Sequence, residues 1–304
     1  MSPRLVISGG AGLLGINWAI QTRDDWDVHL LLHRREVSLP KVTCHVADLS
    51  TSDSAIQSIS RLVPDLVINS VGMTNVDRCQ VDKDLATHSN VVVAANMAAA
   101  AKNAGSKFVQ ISTDQLFNGA KPLQTEEDQP CPVNHYGSTK WKAEQVVSEI
   151  LPDSLILRTN FFGWGPLYRH SFSDWILGAL AKGQFIHLFE DVFFSPIYIP
   201  KLIEAAHGLV EVGQSGVFNI VGGERISKYQ FGVHVCSVFG YEERLLIPSS
   251  LSGSDSLVSR PMDMSLSNNK LKCCDVAAVP CIRTMLEAMA ADRDVAELLR
   301  RVER

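Results

Sequence analysis

Arg4-Leu5-Val6-Ile7-Ser8 runs directly into Gly9-Gly10-Ala11-Gly12-Leu13-Leu14-Gly15. A short apolar run rich in β-branched residues predicts a buried strand, and from Leu14 to Thr22 the apolar residues recur at helical spacing. Glycines are common in turns, but a Gly-x-x-Gly-x-x-Gly loop between strand and helix has a specific use. Gly9 allows the tight turn, Gly12 lets the backbone approach a diphosphate, Leu13 and Leu14 open the helix beside it, and Gly15 lets that helix lie close on the sheet. The free N–H groups and dipole of the helix N-terminus then favour bound phosphate. Gly9, Gly12, Leu13, Leu14 and Gly15 are therefore candidate contacts to a dinucleotide.

Outward from this loop the pattern repeats. Val28–Leu32, Val42–Val46, Leu66–Ile68, Phe108–Ile111 and Leu155–Leu157 read as strands, separated by helical segments at Ser54–Leu62, Leu85–Asn103 and Lys140–Ile150. Nearly continuous apolar strands alternating with helices predict an α/β fold of Rossmann type, a doubly wound parallel sheet covered on both faces. Beyond Phe162 the rhythm gives way to aromatic and Gly/Pro-rich segments. Residues 1–162 are thus expected to form a dinucleotide-binding domain, with a segment near 196–221 returning to it, and residues 163–304 mainly a smaller C-terminal substrate-binding lobe.

The 304 residues carry a net charge of −5, and the basic clusters reach only Arg34-Arg35 and Arg300-Arg301, which argues against a nucleic-acid partner. No stretch reads as a secretion signal or membrane span, so a cytoplasmic protein without membrane association is expected. The seven cysteines have no zinc-ribbon spacing and read as reduced thiols, mostly in packing roles; no metal site is expected.

The second strand ends in His33-Arg34-Arg35, where a free ribose 2′-hydroxyl would usually meet a carboxylate. Two guanidinium groups instead suit a 2′-phosphate, so NADPH is expected, with NADH the alternative should Glu36 face the ribose. Asp48 and Leu49, just past the third strand, are candidates to clamp the adenine; Asp48 could equally cap the helix that follows.

Tyr136 and Lys140 stand four residues apart at the head of a helical segment, so both side chains share one face. A phenol ionises near pH ~10, and a neighbouring ammonium favours the phenolate. The pair follows a strand ending in Ser112-Thr113, at the carboxyl edge where parallel sheets bind ligands; either hydroxyl could orient a carbonyl between the nicotinamide and the phenol.

With these residues the chain resembles the extended short-chain dehydrogenase/reductase family, and within it the dTDP-4-dehydrorhamnose reductase group. The likeness rests on Ser112-Thr113-Asp114-Gln115-Leu116-Phe117-Asn118-Gly119, on Tyr136-Gly137-Ser138-Thr139-Lys140 with Glu144, and on Arg158-Thr159-Asn160. It extends loosely to Ser195-Pro196 and Arg260-Pro261. The resemblance implies a catalytic trio of Thr113, Tyr136 and Lys140, with Tyr136 and Lys140 also touching the cofactor. It places Ser70 and Gly72 along the cofactor, with Asp77 a short way beyond, and gives Asn90 a supporting role, unless Asn90 merely satisfies nearby backbone.

The implied function is NADPH-dependent reduction of the C4 ketone of a nucleotide-linked 4-keto-6-deoxy sugar, in deoxysugar or surface-glycan biosynthesis, by a chain that could form a homodimer. Thr113, Asp114, Gln115, Trp164 and Arg260 are the expected substrate contacts. In the aromatic and cationic stretch after Phe162, Phe172 and Trp175 are assigned to packing, while Arg169 or His170 could reach a ligand. Gln115 departs from the pattern: it stands where the reductases have Tyr and related dehydratases a catalytic Glu, and a carboxamide cannot serve as a general base. Two other readings stay open: a 4-epimerase that keeps NAD bound, and a non-catalytic NADP-binding regulatory subunit resembling the β subunit of methionine adenosyltransferase.

Overall fold

The computed structural model describes residues 2–252 and 258–302. Its centre is a seven-stranded, wholly parallel sheet containing β1 (Arg4–Ser8), β2 (Asp27–Leu32), β3 (Val42–Val46), β4 (Leu66–Asn69), β5 (Lys107–Ile111) and β6 (Leu155–Arg158), completed by the strand Gly216–Asn219. From one edge the order is Gly216–Asn219, β6, β5, β4, β1, β2, β3. The chain therefore builds outward from β1 in one direction and then restarts with β4 on its other side. Such a reversal opens a crevice at the carboxyl ends of β1 and β4, the place where doubly wound sheets bind ligands.

Every strand predicted in the first half of the chain is present, because helices on both faces bury nearly all of its side chains. Leu5, Val6, Ile7, Val67 and Ile68 are wholly buried. The helix after the Gly-rich loop, α1 (Leu13–Thr22), is enclosed on most sides, and Trp18 at its middle donates its indole N–H to His207 Nε2 at 2.9 Å. His207 lies on the helix Ile199–Glu211, which leads into the seventh strand.

The helical segment expected at 85–103 is not continuous. A short helix, Lys83–Thr87, passes through a π-helical turn at His88–Val92 and then into the regular helix Val93–Ala104. A π turn inserts an extra residue into the helix and re-aims side chains, and such turns recur beside functional sites. Here it carries Asn90 into the interior, 1% exposed.

Beyond β6 the remaining strands pair only in twos: Phe161–Phe162 with Ile197–Tyr198, Phe193–Phe194 with Ile226–Ser227, and Ile186–Phe189 with Leu246–Ser249. Phe162, Phe172, Phe194 and Phe231 form a run of tilted and stacked rings in this region. Trp175 is not the packing residue the sequence suggested: it stacks on Phe172 at its own surface and is 49% exposed. No disulfide joins the seven cysteines; Cys79 and Cys236 are buried, Cys44 and Cys274 half-buried, and Cys131, Cys273 and Cys281 exposed.

Candidate functional site

A cleft of about 890 Å³ runs from the Gly-rich loop across the switch point to the end of β5, lined by both halves of the chain. Its floor is built first by backbone. Gly9 holds φ +76°, and a β-carbon at Gly15 would stand 2.5 Å from the Gly9 carbonyl oxygen, so both positions require glycine. The Gly12 N–H closes onto Gly9 O at 2.8 Å, and α1 begins at Leu13 without a side-chain cap. The first N–H groups of a ten-residue helix are thus left for a ligand, the arrangement a diphosphate suits.

Gly9, Gly12, Leu13, Leu14, Arg34, Arg35, Asp48, Leu49, Ser70 and Gly72 all line this cleft. Arg34 is exposed at the end of β2, while the Arg35 guanidinium lies 4.0 Å from the centroid of the Tyr168 ring. Tyr168 in turn donates its hydroxyl to Ala11 O at 3.0 Å, so a residue from the second half of the chain reaches over the Gly-rich loop. Asp48 is exposed and accepts from the Ser50 N–H; the helix Ser52–Leu62 is capped by Thr51, not by Asp48. The Ser70 hydroxyl ties β4 back to β1 through Ser8 O at 2.7 Å.

At the end of β5 the side chains close in. Thr113, Asp114, Tyr136 and Lys140 are between 2% and 7% exposed, and all four line the cleft. Burial pushes the Tyr136 phenol above its ordinary range, with the Thr113 hydroxyl acting on it in the opposite direction. This differs from the sequence expectation of a phenol eased towards neutrality by Lys140. The Lys140 ammonium instead donates to Ile111 O at 2.6 Å, and burial brings it down to about 8, with Glu144 opposing. Of the two hydroxyls left open by the sequence, Thr113 is the one that meets the phenol. Ser112 turns away, donating to Glu144 Oε1 at 2.5 Å.

Glu144 also receives the Arg158 guanidinium, Nη2 to Oε2 at 2.8 Å, in an ion pair whose side chains are 4–5% exposed. Asn90 spans two elements: its Oδ1 accepts from the Met73 N–H at 2.7 Å, and its Nδ2 donates to Thr139 Oγ1 at 2.9 Å. It thereby joins the loop after β4 to the helix His135–Ile150, which carries Tyr136 and Lys140.

The expected substrate contacts divide. Asp114 and Gln115 line the cleft, as do Arg169, His170 and Phe172, the last against its assignment to packing alone. Trp164 is not among the lining residues; its indole donates to Met289 O at 2.8 Å and packs edge-on against Phe239, which makes it a structural side chain. Arg260 is also outside the lining, paired with Asp77 at 2.7 Å across the two halves of the chain. Asp77, placed beyond the cofactor loop by resemblance, thus anchors an arginine from the far end of the sequence.

Asn160, read in the sequence only as part of a motif, and Lys228, absent from the sequence reading, complete the corner. Asn160 donates to Asp114 Oδ2 at 2.5 Å, and Lys228 acts on Asp114 through its charge. Burial raises the Asp114 carboxyl to about 6 against these opposing influences. The Ser227/Gln230 capping box could have located the helix start at Lys228, but nothing local connects that residue to Asp114.

A Gly-rich diphosphate cradle, a Thr-Tyr-Lys cluster at the carboxyl edge of a parallel sheet and a second lobe closing over both define the extended short-chain dehydrogenase/reductase class. Within it, residues 3–294 match the RmlD substrate binding domain, and the chain belongs to that family. It is 28% identical over 278 residues to the probable low-salt glycan biosynthesis reductase Agl14 of Haloferax volcanii, covering 88% of this chain and 92% of that protein. It is also 25% identical over 293 residues to the methionine adenosyltransferase 2 subunit beta of Rattus norvegicus, covering 89% of this chain and 82% of the other. Among solved structures, dTDP-4-dehydrorhamnose reductase from Bacillus anthracis in complex with NADP superposes with a TM-score of 0.85 at 23% identity, over 96% of this chain and all of that one. At that identity the likeness speaks for the fold.

Proposed function

We propose that this chain is an NADPH-dependent reductase of the C4 ketone in a nucleotide-linked 4-keto-6-deoxy sugar, serving deoxysugar or glycan biosynthesis in the cytoplasm. The observation that carries the reading is the convergence of Thr113, Tyr136 and Lys140, all nearly buried, on the cleft that begins at the Gly-rich loop. Bound NADPH supplies the hydride for the carbonyl carbon. Thr113 orients the carbonyl oxygen, and Tyr136 gives it a proton; burial favours the protonated phenol that this direction requires. Lys140 holds the ribose side of the cofactor, and Arg34 with Arg35 receives its 2′-phosphate.

In the same reading residues 1–162 bind the dinucleotide, with 196–221 returned to them, and the rest of 163–304 covers the sugar. The pairing of Gly216–Asn219 with β6 supports that division. Asp114 and Gln115 are the sugar contacts retained from the sequence.

The test is to give purified protein NADPH and 4-keto-6-deoxyhexose linked to dTDP, UDP, GDP or CDP, and to follow the product by mass. Gain of two hydrogens with matching NADPH oxidation supports the reading. An epimerase would turn over without net consumption of NADPH. The relation to the methionine adenosyltransferase β subunit favours one further outcome, a regulatory NADP-binding protein, recognised by absent NADPH oxidation across the panel and a co-purifying transferase.

A further inference from the structure

Lys228 opens the helix Lys228–Phe239, more than a hundred positions in sequence from Asp114. Its ammonium lies 3.2 Å from the centroid of the Phe194 ring and 4.8 Å from that of Phe172. Asp114, the residue after Thr113, acts on it through its charge, with no contact ion pair between the two. Asp114 and Phe172 both line the cleft, and Lys228, half-buried and itself outside that lining, stands directly behind them.

The Lys228 backbone N–H donates to Val192 O, but among the described residues its ammonium makes no hydrogen bond, although it carries three donors. Aromatic faces offset part of the cost of partly burying it through cation–π attraction, but they accept no N–H in the manner of an oxygen. Partial burial lowers the ammonium to about 8, with Asp114 opposing. The carboxylate is the better provided of the two, with one oxygen taking Asn160 and the other the Thr113 hydroxyl at 3.3 Å. Beside the hydroxyl that would orient the ketone there are thus an acceptor held in place and a donor set without acceptors. Such a pair fits a hydroxyl, which gives one hydrogen and receives another.

Resting on the proposed reductase reading, we propose that Lys228 is a specificity-determining residue, donating to a hydroxyl on the sugar carbon next to the ketone while Asp114 accepts from the same hydroxyl. The pair sorts sugars by the presence and configuration of that hydroxyl, and the nucleotide moiety is bound independently of it. A sugar deoxygenated at that carbon would leave the half-buried ammonium without an acceptor, the situation in which a polar site rejects an analogue most strongly.

The experiment is calorimetric titration of NADP-saturated protein, using whichever of dTDP, UDP, GDP and CDP binds best. Each titration compares the bare nucleotide, its 6-deoxyhexose conjugate and the conjugate deoxygenated next to C4. Wild type should prefer the hydroxylated conjugate; Lys228→Met, which keeps the packing on Phe194, should lose about tenfold or more of affinity for it. Binding of the bare nucleotide, the deoxygenated conjugate and NADPH should hold within about twofold, and Lys228→Arg should recover most of the loss. Equal weakening of bare nucleotide and conjugate, no weakening, or no preference by wild type for the hydroxylated sugar would each overturn the assignment. Failure of the reductase reading appears separately, as absent NADPH oxidation in wild type whose sugar discrimination still depends on Lys228.

Discussion

The Lys140 ammonium donates to the Ile111 carbonyl at 2.6 Å, while Tyr136, one helical turn earlier, lines the same cleft as Thr113. The two groups share a helix face without sharing a hydrogen bond. One is anchored to the end of β5 and the other points at the carbonyl-orienting hydroxyl, so their substitutions should separate experimentally.

Tyr136→Phe removes the proposed proton donor and leaves the ring in place. Its turnover should fall by about 10²–10⁴-fold, the usual worth of a positioned acid, with NADPH affinity within a few-fold of wild type. Single-turnover rates and nicotinamide fluorescence titration measure the two quantities. Unchanged turnover would remove Tyr136 from the mechanism.

For Lys140 the sign follows from its charge. Its ordinary value near 10.5 is brought down to about 8, so the ammonium is held below pH 8 and lost as pH rises through it. NADPH affinity should therefore weaken between about pH 7 and 9, and Lys140→Met should bind at the weak high-pH level throughout. A wild-type binding curve flat over that range would separate Lys140 from the cofactor.

Arg34→Ala combined with Arg35→Ala should weaken NADPH by about tenfold or more and NADH far less, since only the former presents a 2′-phosphate dianion. Tyr168 could lose its position as well, because Arg35 lies on its ring, and that loss would affect both cofactors equally. The ratio of the two dissociation constants, not either alone, is the decisive quantity.

Glu144→Gln leaves the buried Arg158 guanidinium without its carboxylate and should lower stability by about 3–5 kcal/mol in urea unfolding. Adding Arg158→Met should recover much of this, as removing both charges is far less costly than removing one. Additive losses would mean that the pair is not energetically coupled.

What could be read in the sequence followed the range over which its signals act. The strands and the Gly-rich loop were legible because burial on both faces and the demand for glycine at Gly9 and Gly15 are local constraints. Thr113, Tyr136 and Lys140 were found because a strand end and a helical i, i+4 spacing carry them. Asp114's partners were not, since Asn160 and Lys228 come from separate elements and meet it only in three dimensions. Trp164 misled for the same reason: its composition suits a stacking platform, but its indole is committed to Met289, 125 residues away. The π turn around Asn90 was invisible because apolar spacing records a helix without recording the extra residue.

Gln115 settles the last expected outcome. Its backbone N–H lies on the Thr113 hydroxyl at 3.3 Å, and the residue lines the cleft beside the proposed ketone position. Forming the 4-keto-6-deoxy sugar from its 6-hydroxylated precursor requires a base to take the C5 proton and an acid for the departing hydroxyl. A carboxamide offers hydrogen bonds but neither gains nor loses a proton in the working range. Reduction needs only an oriented carbonyl and a proton donor, which Thr113 and Tyr136 provide. Purified protein given the 6-hydroxylated sugar nucleotide with NAD should therefore show no loss of water by mass. The 4-keto-6-deoxy form with NADPH should gain two hydrogens under the same conditions. Dehydration by wild type would place the C5 base on a residue other than Gln115 and overturn the exclusion.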